Sequence, residues 1–188
     1  MGGLRSSMSP GRPAKRAGFD HLVGRRIPRL RLDSTHGRVL LSSLAERRLV
    51  LFIYPHATGL PEPPVPEWDS IPGARGCTVQ SCGFRDHNAR LTELGAEVAG
   101  LSVQTVTEQR DFAQRVGLHY RLISDPARAV EAALGPPTFL AGGRIFYRRL
   151  TLVAERAVIV KVFDPIAAPA DNAAEVVHWL EDQEGGQR

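Results

Sequence analysis

The stretch Leu49-Val50-Leu51-Phe52-Ile53-Tyr54-Pro55 is an unbroken run of apolar and aromatic residues closed by a proline. Such a run is typical of a strand buried on both faces, because a half-exposed strand would alternate polar and apolar residues. Both faces of a sheet that contains such a strand must be covered, and helices commonly do this. The stretch therefore predicts an α/β protein with a central buried strand.

The chain on the carboxyl side of this strand alternates between helical and strand patterns. Phe84, Leu91 and Leu94 recur at near-helical spacing, and the segment 105–108 has the form of a capping box that opens another helix. The predicted elements are helix 78–94, strand 96–103, helix 105–116, strand 120–124, helix 127–134, strands 146–154 and 157–163 joined by a tight turn at Glu155-Arg156, and a final helix capped by Asp171.

On the amino side of the central strand, residues 27–32 and 39–44 flank a turn and predict a short antiparallel pair. Alternating strands and helices favour a parallel sheet, to which the terminal hairpin adds antiparallel strands. The order fits a thioredoxin-like α/β fold. We expect a central mixed sheet flanked by helices, with an N-terminal β-hairpin extension.

The length of 188 residues predicts one compact domain, which we place at residues 21–184. The first 17 residues contain four basic and no acidic side chains, so residues 1–20 are interpreted as a disordered basic tail, with a polyanion-binding arm as the alternative. A second irregular segment lies at about 59–73. Its five prolines predict a long loop, because neither helix nor strand persists through them.

Composition excludes several classes of protein. The formal net charge of +4 is small and the arginines are scattered, so we expect no nucleic-acid partner. No apolar run is long enough for a membrane helix or a secretory signal, which predicts a cytoplasmic protein without a membrane partner. Two cysteines are too few for a disulfide framework.

Cys77 lies between the proline-rich loop and the predicted first helix. A cysteine in the first turn of a helix faces unpaired backbone N–H groups and the positive end of the helix dipole. These groups favour the thiolate, which is the nucleophilic form of cysteine. Cys77 is therefore a candidate nucleophile.

Cys82 follows Cys77 by five residues, within the same predicted helix. In an intact helix that spacing puts the two Cα atoms about 8.6 Å apart, whereas a disulfide tolerates at most about 7 Å. A bond between the two sulfurs requires the first turns of the helix to unwind. Gly83 is a poor helix former and is consistent with such a change.

Three segments carry a resemblance to a known family: 52–55 (Phe-Ile-Tyr-Pro), 76–82 (Gly-Cys-Thr-Val-Gln-Ser-Cys) and 83–86 (Gly-Phe-Arg-Asp). They resemble the active-site region of peroxiredoxins, most of all the peroxiredoxin Q (bacterioferritin comigratory protein) subgroup, and the similarity extends over about residues 22–182. The resemblance implies a thioredoxin fold. It also implies reduction of hydrogen peroxide or organic hydroperoxides without a metal or organic cofactor, and a thioredoxin-like dithiol as reductant.

By position, the resemblance makes Cys77 the peroxidatic cysteine, which becomes a sulfenic acid, and Cys82 the resolving cysteine, which forms an intramolecular disulfide with it. Arg149 corresponds to the arginine that contacts the thiolate and the peroxide. Its neighbours Arg144 and Arg148 leave open the interpretation that it belongs to a solvated face. Oligomeric state is left open between monomer and homodimer.

The chain departs from the family at the motif Pro-x-x-x-Thr-x-x-Cys. Ala74 stands three residues before Cys77, while Pro55 and Thr58 precede an apparent insertion of about a dozen residues. We expect Pro55 and Thr58 to supply the proline and hydroxyl of the motif, provided that the insertion loops outward. Otherwise Arg75 or backbone N–H groups must bind more of the peroxide.

Two other functions remain open. One is a one-cysteine peroxidase reduced by a small thiol, and the other is a non-enzymatic module that senses redox state or binds a partner. A disulfide oxidoreductase is disfavoured, because its usual Cys-x-x-Cys spacing is absent. A zinc site that uses His56 or His87 is disfavoured as well, because the ligands lack the close spacing of structural zinc sites.

Overall fold

The computed structural model describes residues 19–60 and 65–186, and its main feature is a seven-stranded mixed sheet. The predicted tail lies outside the described residues except for Phe19 and Asp20. The strands are β1 (Arg31–Ser34), β2 (Val39–Leu40), β3 (Arg48–Ile53), β4 (Ala96–Ser102), β5 (Arg121–Ser124), β6 (Thr138–Ala141), β7 (Arg144–Tyr147), β8 (Leu150–Glu155) and β9 (Val158–Phe163). The α-helices are α1 (Cys77–Asp86), α2 (Asn88–Glu93), α3 (Val106–Val116), α4 (Ala129–Leu134) and α5 (Asn172–Gly185).

The predicted central strand is β3, which lies inside the sheet order β2-β1-β5-β4-β3-β8-β9. It pairs in parallel with β4 and antiparallel with β8. Leu49 to Ile53 are fully buried, as the apolar run predicts. The prediction of a central buried strand in a mixed sheet is confirmed.

Apolar side chains pack on both faces of this sheet. On one face, residues of α1, α2, α3 and α5, among them Phe84, Leu91, Phe112 and Val176, form one core cluster. On the other face, residues of α4 and of the segments before β3 form a second cluster. Helices on both sides of β3 explain why no polar residue interrupts its sequence.

The N-terminal hairpin is present but shorter than predicted. β1 pairs antiparallel with β2 and also with β5, so the hairpin forms an edge of the main sheet. The segment after β2 is a 3-10 helix at Leu41–Ala45, not a continuation of the strand. The described part of the insertion, residues 59–60 and 65–73, is irregular, as predicted, except for a 3-10 turn at Trp68–Ser70.

Three predicted boundaries are wrong. The helix 78–94 is two helices, because the chain leaves helical geometry at His87. The strand 146–154 is two strands in different sheets, since β7 pairs only with β6 while β8 pairs with β3. The β8–β9 turn comprises Arg156 and Ala157, both at positive φ, and not Glu155-Arg156. Asp171 precedes α5 as predicted, although its side chain makes no capping hydrogen bond.

The capping box of α3 is confirmed, since Thr105 and Glu108 satisfy each other's backbone N–H groups and Gly117 ends the helix. Within residues 19–60 and 65–186, no helix has the length and apolar character needed to cross a bilayer.

Gly100 in β4 is a test of how tightly the sheet packs. A Cβ atom at this position would lie 2.6 Å from the ring of Phe52 and 2.7 Å from Leu122. We expect Gly100→Ala to lower the free energy of unfolding by about 1–3 kcal/mol, because buried rings have no room to move away. Denaturant unfolding measures this change.

The matched control is Gly185→Ala at the end of α5, where an added Cβ meets no atom within 4 Å. That substitution should be neutral or slightly stabilising. Equal stability of Gly100→Ala and the wild type would contradict the tight packing of β4.

Candidate active site

Cys77 is the first residue of α1, as predicted. It follows Gly76, whose φ of +97° is the left-handed conformation that glycine adopts without strain. A side chain at Gly76 would also meet Pro169 at 2.7 Å, so both space and conformation favour glycine before the cysteine. The side chain of Cys77 is buried, with 4% of its surface exposed.

Arg149 lies at the point where the chain leaves the β6–β7 sheet and enters β8. Its Nη2 donates to the sulfur of Cys77 at 3.1 Å. The guanidinium is buried and also donates to Gln80 Oε1 and to the backbone carbonyls of Arg75 (2.7 Å) and Ala74 (3.3 Å). The structure therefore brings two sequence-predicted site residues together and excludes a solvated-face position for Arg149.

The Nε–H of Arg149 has no hydrogen-bond partner within the described residues. An unpaired buried donor is costly, because it has lost its hydrogen bonds to water without gaining others. The start of α1 likewise leaves backbone N–H groups without intrahelical partners.

Ala74 and Arg75 directly follow the insertion, and we call this segment the cover, because Ala74 contacts the buried sulfur of Cys77. The Cys77 thiol donates to the carbonyl of Ala74 at 3.5 Å, while Arg149 donates to both carbonyls. Ala74 occupies the position at which the family motif has threonine. At this position the chain presents backbone acceptors in place of a hydroxyl.

Trp68 anchors the insertion to the rest of the protein. It is buried and packs against Phe146 and Phe139, with ring centroids 5.0 and 5.8 Å away, in a cluster that includes Ala74. The insertion is thus tied to the β6–β7 hairpin by aromatic contacts. These contacts hold the cover over Cys77.

Pro55 and Thr58 lie in the loop that follows β3. The backbone of Ala57 in this loop is held from both sides by the amide of Gln104, with two hydrogen bonds of 2.9 Å. The Thr58 hydroxyl accepts from the N–H of Leu60 at 3.1 Å, and its carbonyl accepts from Arg115 at 3.0 Å. Within the described residues no hydrogen bond joins Thr58 to Cys77, so its predicted hydroxyl role stays a prediction.

Cys82 is partly exposed on α1, and both cysteines are free. They lie in one uninterrupted helix, so the sequence-based separation of about 8.6 Å between their Cα atoms applies. The hydroxyl of Tyr120 donates to the carbonyl of Ser81 at 2.8 Å, beside Cys82. A disulfide requires this part of α1 to change conformation.

The sequence analysis missed three polar residues behind Arg149. Gln80 accepts from Arg149, and its own amide donates to Asn172 Oδ1 at 3.0 Å. Thr151 also donates to Asn172 Oδ1, at 2.7 Å. The position of Gln80 three residues after Cys77, on the same side of the helix, was a signal that could have identified it.

The described residues contain no group of three or more histidine, cysteine or acidic side chains arranged to hold a metal. His56 packs against Trp68 and Phe146, and His87 lies within 3.0 Å of the carbonyl of Gly83. Neither histidine belongs to a group of potential metal ligands within the described residues.

Comparison with known proteins identifies the family. The family model described as redoxin matches residues 22–177. The chain belongs to the redoxin family. This match spans both cysteines and Arg149.

Individual relatives confirm the peroxiredoxin Q resemblance of this redoxin. Peroxiredoxin bcp1 of Schizosaccharomyces pombe is 34% identical over 139 residues, which are 72% of this chain and 63% of the relative. Chloroplastic peroxiredoxin Q of Sedum lineare is 31% identical over 140 residues, 73% and 67% of the two chains. The chain spans less than two thirds of the length of the fission yeast relative.

The fold is also that of a solved relative of this redoxin. The crystal structure of peroxidoxin BcpB from Mycobacterium tuberculosis matches with a TM-score of 0.68 and 26% identity, over 85% of this chain and 96% of that chain. The predicted thioredoxin-like α/β class is confirmed.

Trp68 should control access to the buried thiol. We expect Trp68→Ala to lower the free energy of unfolding by roughly 3 kcal/mol and to raise the rate at which iodoacetamide alkylates Cys77, because the cover loses its anchor. Both measurements belong in a Cys82→Ser background. The control is Leu140→Ala on the β6–β7 hairpin that Trp68 packs against. The Leu140 side chain is 70% exposed, so neither the free energy of unfolding nor the alkylation rate should change. An unchanged alkylation rate in Trp68→Ala would contradict the role of the cover.

His56 should make stability depend on pH. Burial lowers its pKa to about 4, with Glu108 opposing and Arg144 reinforcing the shift. Between about pH 6.5 and 4 the unfolded chain binds a proton that the folded protein does not, so stability is lost as the pH falls through this range. We expect His56→Phe to show a smaller loss between pH 7 and 4.5 in denaturant unfolding. Equal losses in the two proteins would refute this.

Proposed function

We propose that this chain is a thiol peroxidase that reduces hydrogen peroxide or organic hydroperoxides. The observation that carries the proposal is the contact of 3.1 Å between the guanidinium of Arg149 and the sulfur of Cys77 at the start of α1. A thiolate at a helix N-terminus with an adjacent guanidinium is an activated nucleophile. The peroxiredoxin names of the relatives support a peroxide as the class of substrate.

In the first step the Cys77 thiolate attacks the terminal oxygen of the hydroperoxide. A sulfur–oxygen bond forms as the oxygen–oxygen bond breaks, and the leaving alkoxide or hydroxide takes a proton to become alcohol or water. Negative charge grows on the leaving oxygen. Arg149 stabilises this charge through Nη2 and through its free Nε donor, which is electrostatic catalysis of the oxyanion-hole type.

In the second step the Cys82 thiol condenses with the Cys77 sulfenic acid, forming the disulfide and releasing water. The first turns of α1 must unwind, which breaks the contacts of Gln80 with Arg149 and Asn172. The unwinding should stop before Phe84, because this residue is fully buried and stacks on Phe52 with ring centroids 4.6 Å apart. Gly83 also packs closely on the backbone of Ala170.

In the third step an external dithiol reduces the disulfide by exchange, becoming a disulfide itself. We propose a thioredoxin-like protein as this partner and the cytoplasm as the location. The reaction needs no metal or organic cofactor. The oligomeric state, monomer or homodimer, remains a prediction, as do the domain limits and the parts played by Pro55 and Thr58.

A one-cysteine peroxidase reduced by a small thiol is the second candidate function. The observation that favours it is the intact α1, in which Cys82 is held away from Cys77. A non-enzymatic redox sensor is a third candidate, supported by the burial of Cys77 under Ala74. The three candidates differ in the fate of Cys82 and in the rate of peroxide consumption.

Intact-mass analysis after one equivalent of peroxide tests the proposal. The wild type should lose two hydrogen atoms, because the disulfide forms, whereas Cys82→Ser should gain one oxygen atom, because the sulfenic acid persists. Cys77→Ser should do neither. The control for handling is the same treatment without peroxide.

Thioredoxin-dependent turnover completes the test. It should be lost in Cys82→Ser, and unchanged turnover in that variant would favour the one-cysteine alternative. If the wild type consumes peroxide no faster than free cysteine, the peroxidase function is wrong and the sensor interpretation takes its place.

A further inference from the structure

A series of hydrogen-bonded, buried polar side chains leads from Arg149 to α5. This helix is separate from α1, which contains both cysteines. We call this series the amide chain: Gln80 on α1, Thr151 on β8 and Asn172 at the start of α5. All three residues have no exposed surface. Asn172 Oδ1 accepts from both Gln80 Nε2 and the Thr151 hydroxyl, and Gln80 Oε1 accepts from Arg149.

We propose that Asn172 is a positioning residue, which fixes the orientation of the Gln80 amide and thereby holds Arg149 against Cys77. This inference rests on the proposed peroxidase function for its catalytic consequence. It concerns a residue 95 positions from Cys77 in sequence that touches neither the sulfur nor the guanidinium.

The argument depends on which end of each amide accepts. A side-chain amide has an acceptor oxygen at one end and donor hydrogens at the other, with nearly the same shape. If Gln80 were turned over, its NH₂ group would face the guanidinium of Arg149, and two donors would meet in a buried site. Because Asn172 presents its oxygen to Gln80 Nε2, it selects the orientation in which Gln80 Oε1 faces Arg149.

Thr151 adds a second donor to the same oxygen of Asn172. Its hydroxyl donates to Asn172 Oδ1 at 2.7 Å, so this oxygen receives two donors. The Nδ2 group of Asn172 has no partner within the described residues. The side chain thus acts only through its oxygen, which determines how it can be replaced.

The location of Asn172 gives the amide chain a fixed reference. Its neighbours Ala173, Val176 and Leu180 are buried and attach α5 to the core. α1, by contrast, must unwind in its first turns if Cys77 and Cys82 are to bond. A hydrogen bond from the first turns of α1 to α5 therefore restores the same arginine position each time the helix reforms, and it opposes unwinding while it lasts.

The test compares Asn172→Leu with Asn172→Asp. Leucine removes the acceptor oxygen, whereas aspartate keeps both hydrogen bonds that Asn172 makes. In a Cys82→Ser background, stopped-flow measurement of Cys77 oxidation should show about a tenfold lower second-order rate constant for Asn172→Leu, the effect of one lost hydrogen bond. Asn172→Asp should stay within about threefold of the wild type, even where its melting temperature is lower.

Two further variants separate positioning from stability. Val176→Ala removes buried volume from the same helix, so it should lower the melting temperature and leave the rate constant unchanged. Thr151→Val keeps its shape and loses only the hydroxyl, so it should fold and show a smaller decrease than Asn172→Leu. In the protein with both cysteines, disulfide formation should be faster in Asn172→Leu than in the wild type.

A signal from the arginine itself makes the inference independent of the peroxidase function. In nuclear magnetic resonance spectra, the guanidinium N–H resonances of Arg149 should be sharp in the wild type and in Asn172→Asp, and broadened in Asn172→Leu. Unchanged resonances and an unchanged rate in Asn172→Leu would overturn the inference. A wild type that does not react with peroxide, but loses the sharp resonances in Asn172→Leu, would overturn only the proposed function.

Discussion

The contact between the Arg149 guanidinium and the Cys77 sulfur is the constraint on which the site depends. Arg149 is buried, and none of its hydrogen-bond partners within the described residues is a carboxylate. A buried charge without an opposite charge is expensive, even when neutral acceptors surround it. Among the partners that the structure describes, the Cys77 sulfur is the group that can carry a negative charge, and it lies 3.1 Å from Nη2 of Arg149.

The sheet positions both residues of this contact, Arg149 and Cys77. Parallel strands place the start of α1 at the carboxyl end of β3, and the antiparallel partner β8 begins at the same edge, so Arg149 meets Cys77 across 72 residues of chain. The change of sheet between β7 and β8 leaves Arg149 outside regular pairing. The Arg149 side chain can therefore turn toward Cys77. In a regular strand, by contrast, each side chain must point to one of the two faces of the sheet.

Local patterns identified the central strand, the start of α1 and the capping box of α3, because each depends on residues close in sequence. The division of strand 146–154 was missed, although Gly142-Gly143 is a typical two-residue hairpin turn that could have indicated a separate β6–β7 pair. The contact of Arg149 with Cys77 followed only from family resemblance. The link from Gln80 to Asn172 spans 92 residues, and no periodicity or propensity encodes such a pair.

Ala74 stands where the peroxiredoxin motif has threonine, so its side chain supplies no hydroxyl to the site. A hydroxyl both donates and accepts, whereas the carbonyls of Ala74 and Arg75 only accept, and both are already bonded to Arg149. The donors that the structure places at Cys77 are the guanidinium of Arg149 and the N–H groups that open α1. The same two carbonyls hold the arginine in place. Gln80 Oε1 accepts from the same guanidinium, so backbone and side-chain acceptors together set the direction in which the Arg149 donors point at Cys77.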